Sequence, residues 1–413
     1  MPNTADTGSD APIDVTPLLD DPYPAYAALR EAGPVHRITA ADGNPAWLVT
    51  RYDDVRSGLA DPRLSLDKRH AAPGGYQGFS LPPALDANLL NMDPPDHTRI
   101  RRLVAKAFTP RRVEALRAPT RKTADALLDA MAERGRADLI ADYAGPLPIA
   151  VICDLLGIPH RDRRDFLAWS DALITPDPSR PELMKEAIGA MQEFYTGLIA
   201  AKRAEPGDDL LSDLIAVRDD PAPGEGAGAE EGSERLSADE LTSLAFLLLF
   251  AGYENTVHLI GNAVLTLLDH PDQLRQLQRD PAELPAAVEE FLRYDGPGPL
   301  SIRRFPTEDL EIGGVRIAAG ETVLLAIASA NRDPERFPDP ATFDRGRDRS
   351  GHLGLGHGIH YCLGAPLARM ETVIALEALL DRFPGLRLDV PRGDVRHRRA
   401  LRARGLISLP VAF

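Results

Sequence analysis

Apolar residues recur at three- and four-residue intervals along most of the chain, the period that lays one stripe of an α-helix against a core. This spacing predicts helices over roughly 97–108, 111–133, 146–155, 161–173, 181–204, 208–217, 237–269, 271–279 and 283–294. A shorter helix runs from Pro22 and stops at Gly33. Ser237-Ala-Asp-Glu240 has capping-box spacing and opens the longest helix. Period-two alternation is confined to short pieces. Val35–Thr39 and Ala46–Thr50 flank a turn at Asp42-Gly43-Asn44, and Glu311–Ile312, Val315–Ile317 and Val323–Ala328 follow Pro297. A last helix begins near Pro366, a residue suited to a helix's first turn. The fold class is mainly α with a minor β part.

Three stretches break the pattern. Residues 1–12 read as a loose tail. Residues 67–90 are rich in Gly, Pro, Ala and Leu without a period, as in a functional loop or the wall of a binding site. Residues 219–236 form an acidic low-complexity linker, expected to be exposed and mobile. There is no internal repeat, and no linker long enough to split the core. Residues 13–413 therefore read as one domain, with 219–236 an excursion from it.

Hydrophobic residues make up 44% of the 413 and charged residues 26%, a globular balance. The net charge of −15 is ill suited to nucleic acid, whose phosphates would repel it. The uncharged run Leu241–Tyr253 falls short of the ~20 residues a membrane span needs. The polar, acidic start does not read as a signal peptide. Cys153 and Cys362 are the only cysteines and make no disulfide framework, which suits a reducing cytosol. A soluble, cytoplasmic protein is expected.

Cys362 lies in His352–Arg369, HLGLGHGIHYCLGAPLAR, a loop with Gly354, Gly356, Gly358 and Gly364 that ends where the last helix starts. A thiolate is stabilised by N–H donors and by the positive end of a helix. Glycines let backbone curl around sulfur and let a flat cofactor approach. Two other readings stay open on the local pattern. The cysteine could be a buried, inert thiol, the reading given to Cys153 within PIAVICDLLG. Alternatively His352, His357, His360 and Cys362 could ligate zinc, although no second ligand pair stands at zinc-like spacing.

GLGHGIHYCLG closely resembles the cysteine-ligand loop of bacterial cytochrome P-450 enzymes, and the overall texture most resembles their actinobacterial members. The resemblance runs from Pro22 to Phe413 and includes Asn331-Arg-Asp-Pro334 and Phe337-Pro-Asp-Pro340. It implies a single large P-450-type fold with haem b buried between the long central helix and the cysteine loop. Cys362 would be the axial iron ligand, whose thiolate donation favours O–O cleavage. Leu355, Gly356 and Gly364 would face the cofactor. Leu355 stands where the family usually has phenylalanine, so redox tuning is expected to differ.

Other segments agree with that reading. His97 and Arg101, four apart on one helical face, are suited to gripping an anion. The resemblance assigns them to the haem propionates together with Arg304 and His360, with Arg303 as the neighbouring alternative to Arg304. Glu290 and Arg293 would form a structural network with Arg347. In Ala251-Gly-Tyr-Glu-Asn-Thr256, a mid-helix glycine costs about 1 kcal/mol relative to alanine and so calls for a reason. Ala251 and Gly252 would let the helix pass close over haem and leave room for dioxygen, and Glu254 would relay protons. Asn255 stands where the family usually has threonine. An amide donates a hydrogen bond but is no hydroxyl relay. Thr256 comes one residue later, turned about 100° around the helix.

The implied activity is insertion of one oxygen atom from O2 into an apolar small molecule, by hydroxylation or epoxidation, on a polyketide or terpenoid natural product. Leu89, Leu90, Phe246, Phe250, Leu300, Ile302 and Ile407 are candidate substrate contacts, each equally compatible with plain core. No flavin- or nicotinamide-binding segment is present, which points to ferredoxin and ferredoxin reductase as separate electron donors of a monomer. Arg102, Lys106, Arg111, Arg112, Arg345 and Arg349 could form a basic docking patch for an acidic ferredoxin. Two rival readings are a hydrogen-peroxide-using haem-thiolate enzyme and a non-catalytic metal- or small-molecule-binding protein.

Overall fold

The longest periodic run becomes the longest helix, Ala238–Asp269. Its capping box forms as spelled: Ser237 Oγ accepts from the Glu240 N–H (3.1 Å), and Glu240 Oε2 accepts from the Ser237 N–H (2.7 Å). The helix is long and apolar enough to cross a membrane by composition. It lies mostly buried inside the fold, against helices Pro146–Leu155, Leu284–Asp295 and Ala365–Arg382. The last of these is buried on nearly every side, which explains why its sequence shows no clean polar stripe. The computed structural model describes residues 12–40, 43–76, 88–174, 180–219, 236–348 and 350–413. The 1–11 part of the expected tail, 77–87 of the aperiodic stretch, 220–235 of the acidic linker and Arg349 lie outside the described residues.

The helices at 181–204 and 271–279 appear with the expected bounds, and most others shift by a residue or two. The expected helix 111–133 is corrected to two, Pro110–Ala115 and Arg117–Ala132. Pro119 has no N–H to give, and its ring would strike the Ala115 carbonyl of a continuous helix. Helix Tyr52–Ala60 was not anticipated. Its buried Tyr52, Val55 and Leu59 stand at helical spacing, and Asp53 and Asp54 favour its N-terminus. The expected strand Val323–Ala328 also divides, into strand Thr322–Leu325 and a helical turn Ile327–Ala330. Ala326, Ala328 and Ala330 lack the branched side chains that favour a strand.

Strand Pro45–Val49 pairs antiparallel with Val35–Thr39 and parallel with Thr322–Leu325. This sheet joins the N-terminal part of the chain to the segment after the Leu284–Asp295 helix. In a second sheet, Pro410–Ala412 lies between Arg136–Asp138 and Arg387–Leu388. The main core cluster gathers the helices around Ala238–Asp269, while a smaller one, with Val49, Leu64, Val323 and Leu325, lies under the first sheet.

Candidate active site

The cysteine loop is closed by its own backbone. Cys362 N–H donates to the Leu355 carbonyl (2.9 Å), Gly356 N–H to the Leu353 carbonyl (2.8 Å), and Tyr361 N–H to the Gly358 carbonyl (3.1 Å). Gly358 has φ +73°, and a Cβ there would lie 3.1 Å from Ala60 Cα, so both conformation and space require glycine. Gly364 caps the helix Ala365–Arg382. Burial pushes the Cys362 thiol up. The N–H of Gly364 and the cation of Arg101, followed by Arg369 and the N–H of Ala365, pull it back. Leu355 is half-buried and packs on the main core.

Four basic groups converge beside this loop. The rings of His97 and His360 lie 4.2 Å apart. Arg101 Nη2 donates to the Tyr361 carbonyl (2.6 Å), and Arg304 Nη1 to the Leu64 carbonyl (3.2 Å). Both ring nitrogens of His97 and Nε of Arg304 are buried without a partner among the described residues. Burial, reinforced by Arg101, lowers His97 to about 4; burial, then His97, Arg304 and Arg101, lower His360 to about 3. Burial brings Arg304 down to about 10. Bare nitrogens on His97 and Arg304, next to the Arg101 cation, are complementary to an anion, and two carboxylates on a flat apolar group would suit the cluster. These observations fit haem and its propionates. Arg303 is turned elsewhere, with Nη2 bonded to Asn91 Oδ1 (3.1 Å) and its guanidinium over Tyr76.

On the central helix, Ala251 and Asn255 are exposed one turn apart, while Thr256 is 4% exposed. Asn255 Nδ2 lies 3.3 Å from the Ala251 carbonyl, and Thr256 Oγ1 donates to the Gly252 carbonyl (3.0 Å). Gly252 turns toward another helix, where a Cβ would fall 2.8 Å from Ile152 Cδ1, so its small size serves helix packing. Glu254 is half-buried and faces His258.

Glu290 and Arg293, both with fully buried side chains, form a two-bond pair at 2.7 and 2.8 Å. Arg347 Nε approaches Glu290 at 3.5 Å, so the three residues form one network. Glu289, the residue before, was missed. It bonds Arg369 through both oxygens (2.6 and 2.8 Å) and His352 Nε2 (2.9 Å), and these partners pull its carboxyl down to about 2 against the opposing effect of burial. Its partners lie 63 and 80 residues away, so no local spacing reveals them. His352 is thereby paired with a carboxylate. Among the described residues no three His, Cys, Asp or Glu groups are arranged to hold a metal ion, which removes support for the zinc reading.

Of the candidate substrate contacts, Leu89, Phe246 and Leu300 are buried, Leu90 and Ile302 half-buried, and Ile407 is 59% exposed. Leu300 packs with Tyr26, Ile38 and Leu48, a core environment. The side chain of Phe250 lies outside the described residues. The expected docking patch is corrected at two positions. Arg112 faces Asp213, and Arg345 faces Glu283, so neither charge stands unopposed. Arg102, Lys106 and Arg111 are exposed.

Residues 281–399, which span the Glu290–Arg293 pair and the cysteine loop, match the family model described as Cytochrome P450. The chain is 48% identical over 395 residues to cytochrome P450 monooxygenase PikC of Streptomyces venezuelae, covering 95% of this chain and 91% of that protein. It is 47% identical over 399 residues to 6-deoxyerythronolide B hydroxylase of Saccharopolyspora erythraea, covering 95% and 96%. The solved structure of tirandamycin C-bound P450 monooxygenase TamI superposes with a TM-score of 0.84 at 44% identity, covering 97% of this chain and 99% of that one. Joined to the thiol loop and its basic cluster, these likenesses show that the chain belongs to the cytochrome P450 family, monooxygenases that carry haem b on a cysteine thiolate.

Proposed function

We propose that this monooxygenase hydroxylates or epoxidises an apolar polyketide-type natural product, with electrons from a ferredoxin and its reductase. The observation that carries the cofactor part is the meeting of Cys362 with His97, Arg101, Arg304 and His360, where both His97 nitrogens and Arg304 Nε are buried without a partner among the described residues. In this reading Cys362 holds the iron, and those four groups hold the propionates. Leu355, Gly356 and Gly364 face the thiolate side and Ala251 the other, while Gly252 lets the helix pack against Ile152. When bound, the haem supplies the activation of dioxygen. The substrate class is supported by the names of the relatives, a 6-deoxyerythronolide B hydroxylase and a tirandamycin C-bound enzyme.

The chain's own part on the oxygen side falls to Glu254 and Asn255. Glu254 takes up a proton at its carboxylate and passes it inward. Asn255, exposed at the helix surface, offers an amide N–H to oxygen or to water. Thr256, buried with its hydroxyl on the Gly252 carbonyl, takes no part. Arg102, Lys106 and Arg111 present positive charge to an acidic ferredoxin near the helix that carries His97 and Arg101. The enzyme acts as a cytoplasmic, single-domain monomer.

The test is a carbon monoxide difference spectrum, followed by turnover of 6-deoxyerythronolide B and tirandamycin C under labelled dioxygen with ferredoxin, reductase and NADPH. A thiolate-type Soret band and one labelled oxygen in product are expected. A missing band overturns the cofactor assignment, and no product from either compound overturns the substrate class. Product formed from hydrogen peroxide but not with the ferredoxin system selects the peroxide-using alternative.

A further inference from the structure

The central helix carries a polar ladder in an apolar setting. Glu254, His258 and Asn262 follow one another at four-residue intervals and share one face. His258 is 4% exposed, between the buried Val257 and Leu259. Burying a polar ring among such neighbours costs stability unless it is bonded, and a leucine would fit the helix without that cost. One end of the ring is accounted for: Nε2 lies 3.4 Å from Glu254 Oε1. The other end is not. Nδ1 is buried without a partner among the described residues.

The C-terminal segment explains why Nδ1 is bare. Asn262 Nδ2 donates to the Arg404 carbonyl (2.9 Å) and to the Asp295 carbonyl (3.0 Å). The Arg404 N–H donates to the Pro297 carbonyl (2.8 Å), and the Arg398 N–H to the Gly405 carbonyl (2.8 Å). These bonds hold Gly405 close against the imidazole, where a Cβ would fall 1.9 Å from Nδ1. The ring is thus fixed by its own helix on one side and by Gly405 on the other. A nitrogen facing a carboxylate must carry the proton to bond it. A proton on Nδ1 would be buried with no acceptor, so the arrangement favours the ring with its proton on Nε2.

We propose that His258 is a positioning residue for Glu254: its locked ring holds Oε1 and leaves Oε2 to take up and release the proton. The inference rests on the proton-handling role given to Glu254 above. The Glu254 side chain is 24% exposed, so without this tether it can turn toward water and away from the oxygen side. Asn262 serves the same arrangement indirectly, because it pins the segment that pins the ring.

The first test needs no turnover. Imidazole 15N shifts of the haem-loaded protein are expected to show His258 with a protonated Nε2 and a bare Nδ1, and to move on Glu254→Gln. A protonated Nδ1, or no response to Glu254→Gln, overturns the proposal. The second test compares His258→Leu with His258→Gln, whose amide can reach the Nε2 position. His258→Leu is expected to lower product per NADPH about tenfold on whichever test polyketide turns over, with KM unchanged and the carbon monoxide band intact. His258→Gln should recover most of that loss. Coupling of His258→Leu within about twofold of the parent overturns the proposal, as does a Gln variant no better than Leu. A parent protein that lacks the thiolate-type band or forms no product points instead to failure of the proposed function. The 15N result still decides the tautomer in that case, and also if His258→Leu does not fold.

Discussion

Thr256 Oγ1 donates to the Gly252 carbonyl one turn back, at 3.0 Å, and the side chain is buried. A hydroxyl committed to its own helix does not face reacting oxygen. Its neighbour Asn255 also bonds one turn back, Nδ2 to the Ala251 carbonyl (3.3 Å), but it is exposed beside Ala251 and its amide carries a second N–H to offer. Thr256→Ala is therefore expected to change product formed per NADPH by less than about twofold, while Asn255→Ala lowers it about tenfold. Measuring product, peroxide and NADPH together checks this. Unchanged coupling in Asn255→Ala would remove the asparagine from oxygen activation.

The basic cluster gives a prediction about cofactor retention. His97 and Arg304 contribute buried donors that nothing in the described protein satisfies. Propionates would convert them into charge-assisted bonds worth about 1.5–3 kcal/mol each. Arg304→Leu should weaken haem affinity by roughly one to two powers of ten, read by transfer of haem to an apomyoglobin acceptor. Arg303→Leu, at a guanidinium bonded to Asn91, should leave haem transfer nearly unchanged.

Most of the helical frame was legible because the apolar period and the caps agree, as at Ser237 and Glu240. The cysteine loop was legible because its chemistry is local, with glycines, thiol and helix start falling within a few residues. What sequence could not supply was direction. Thr256 and Asn255 are adjacent in text, and only the packed helix decides which one turns inward. Gly252 reads as an opening toward a cofactor, yet it turns to Ile152 across a helix contact. Arg112 and Arg345 read as a docking patch because their acidic partners lie 101 and 62 residues away. The Glu289–Arg369 pair was invisible for the same reason.

That pair has a pH signature. Its partners hold the folded-state carboxyl of Glu289 at about 2, below its ordinary value of 4.5. A depressed carboxyl pKa stabilises the fold above the unfolded value, and that contribution fades as pH falls from about 4.5 toward 2. Glu289→Gln should therefore cost about 2 kcal/mol at neutral pH. The gap between parent and variant should narrow as pH falls below about 4.5 and close only near pH 2. Urea unfolding midpoints at several pH values check this, and a gap that is constant with pH would contradict it.

The Glu290–Arg293 pair should behave differently, because both side chains are fully buried. Arg293 Nη1 also donates to the carbonyls of Asn331 (2.9 Å) and Pro340 (3.0 Å), and Nη2 to that of Thr342 (3.3 Å). One guanidinium thus fastens the helix Leu284–Asp295 to the chain that leads into the cysteine loop. A lysine would keep the charge but has no planar fork to meet a carboxylate and three carbonyls together. Breaking a buried pair leaves an uncompensated charge and costs about 3–5 kcal/mol. Arg293→Lys should carry much of the cost of Arg293→Leu, and both should lose the carbon monoxide Soret band before helical circular dichroism on heating. If Arg293→Lys unfolds at the parent temperature with its Soret band intact, the carbonyl contacts contribute little and the pair acts through charge alone.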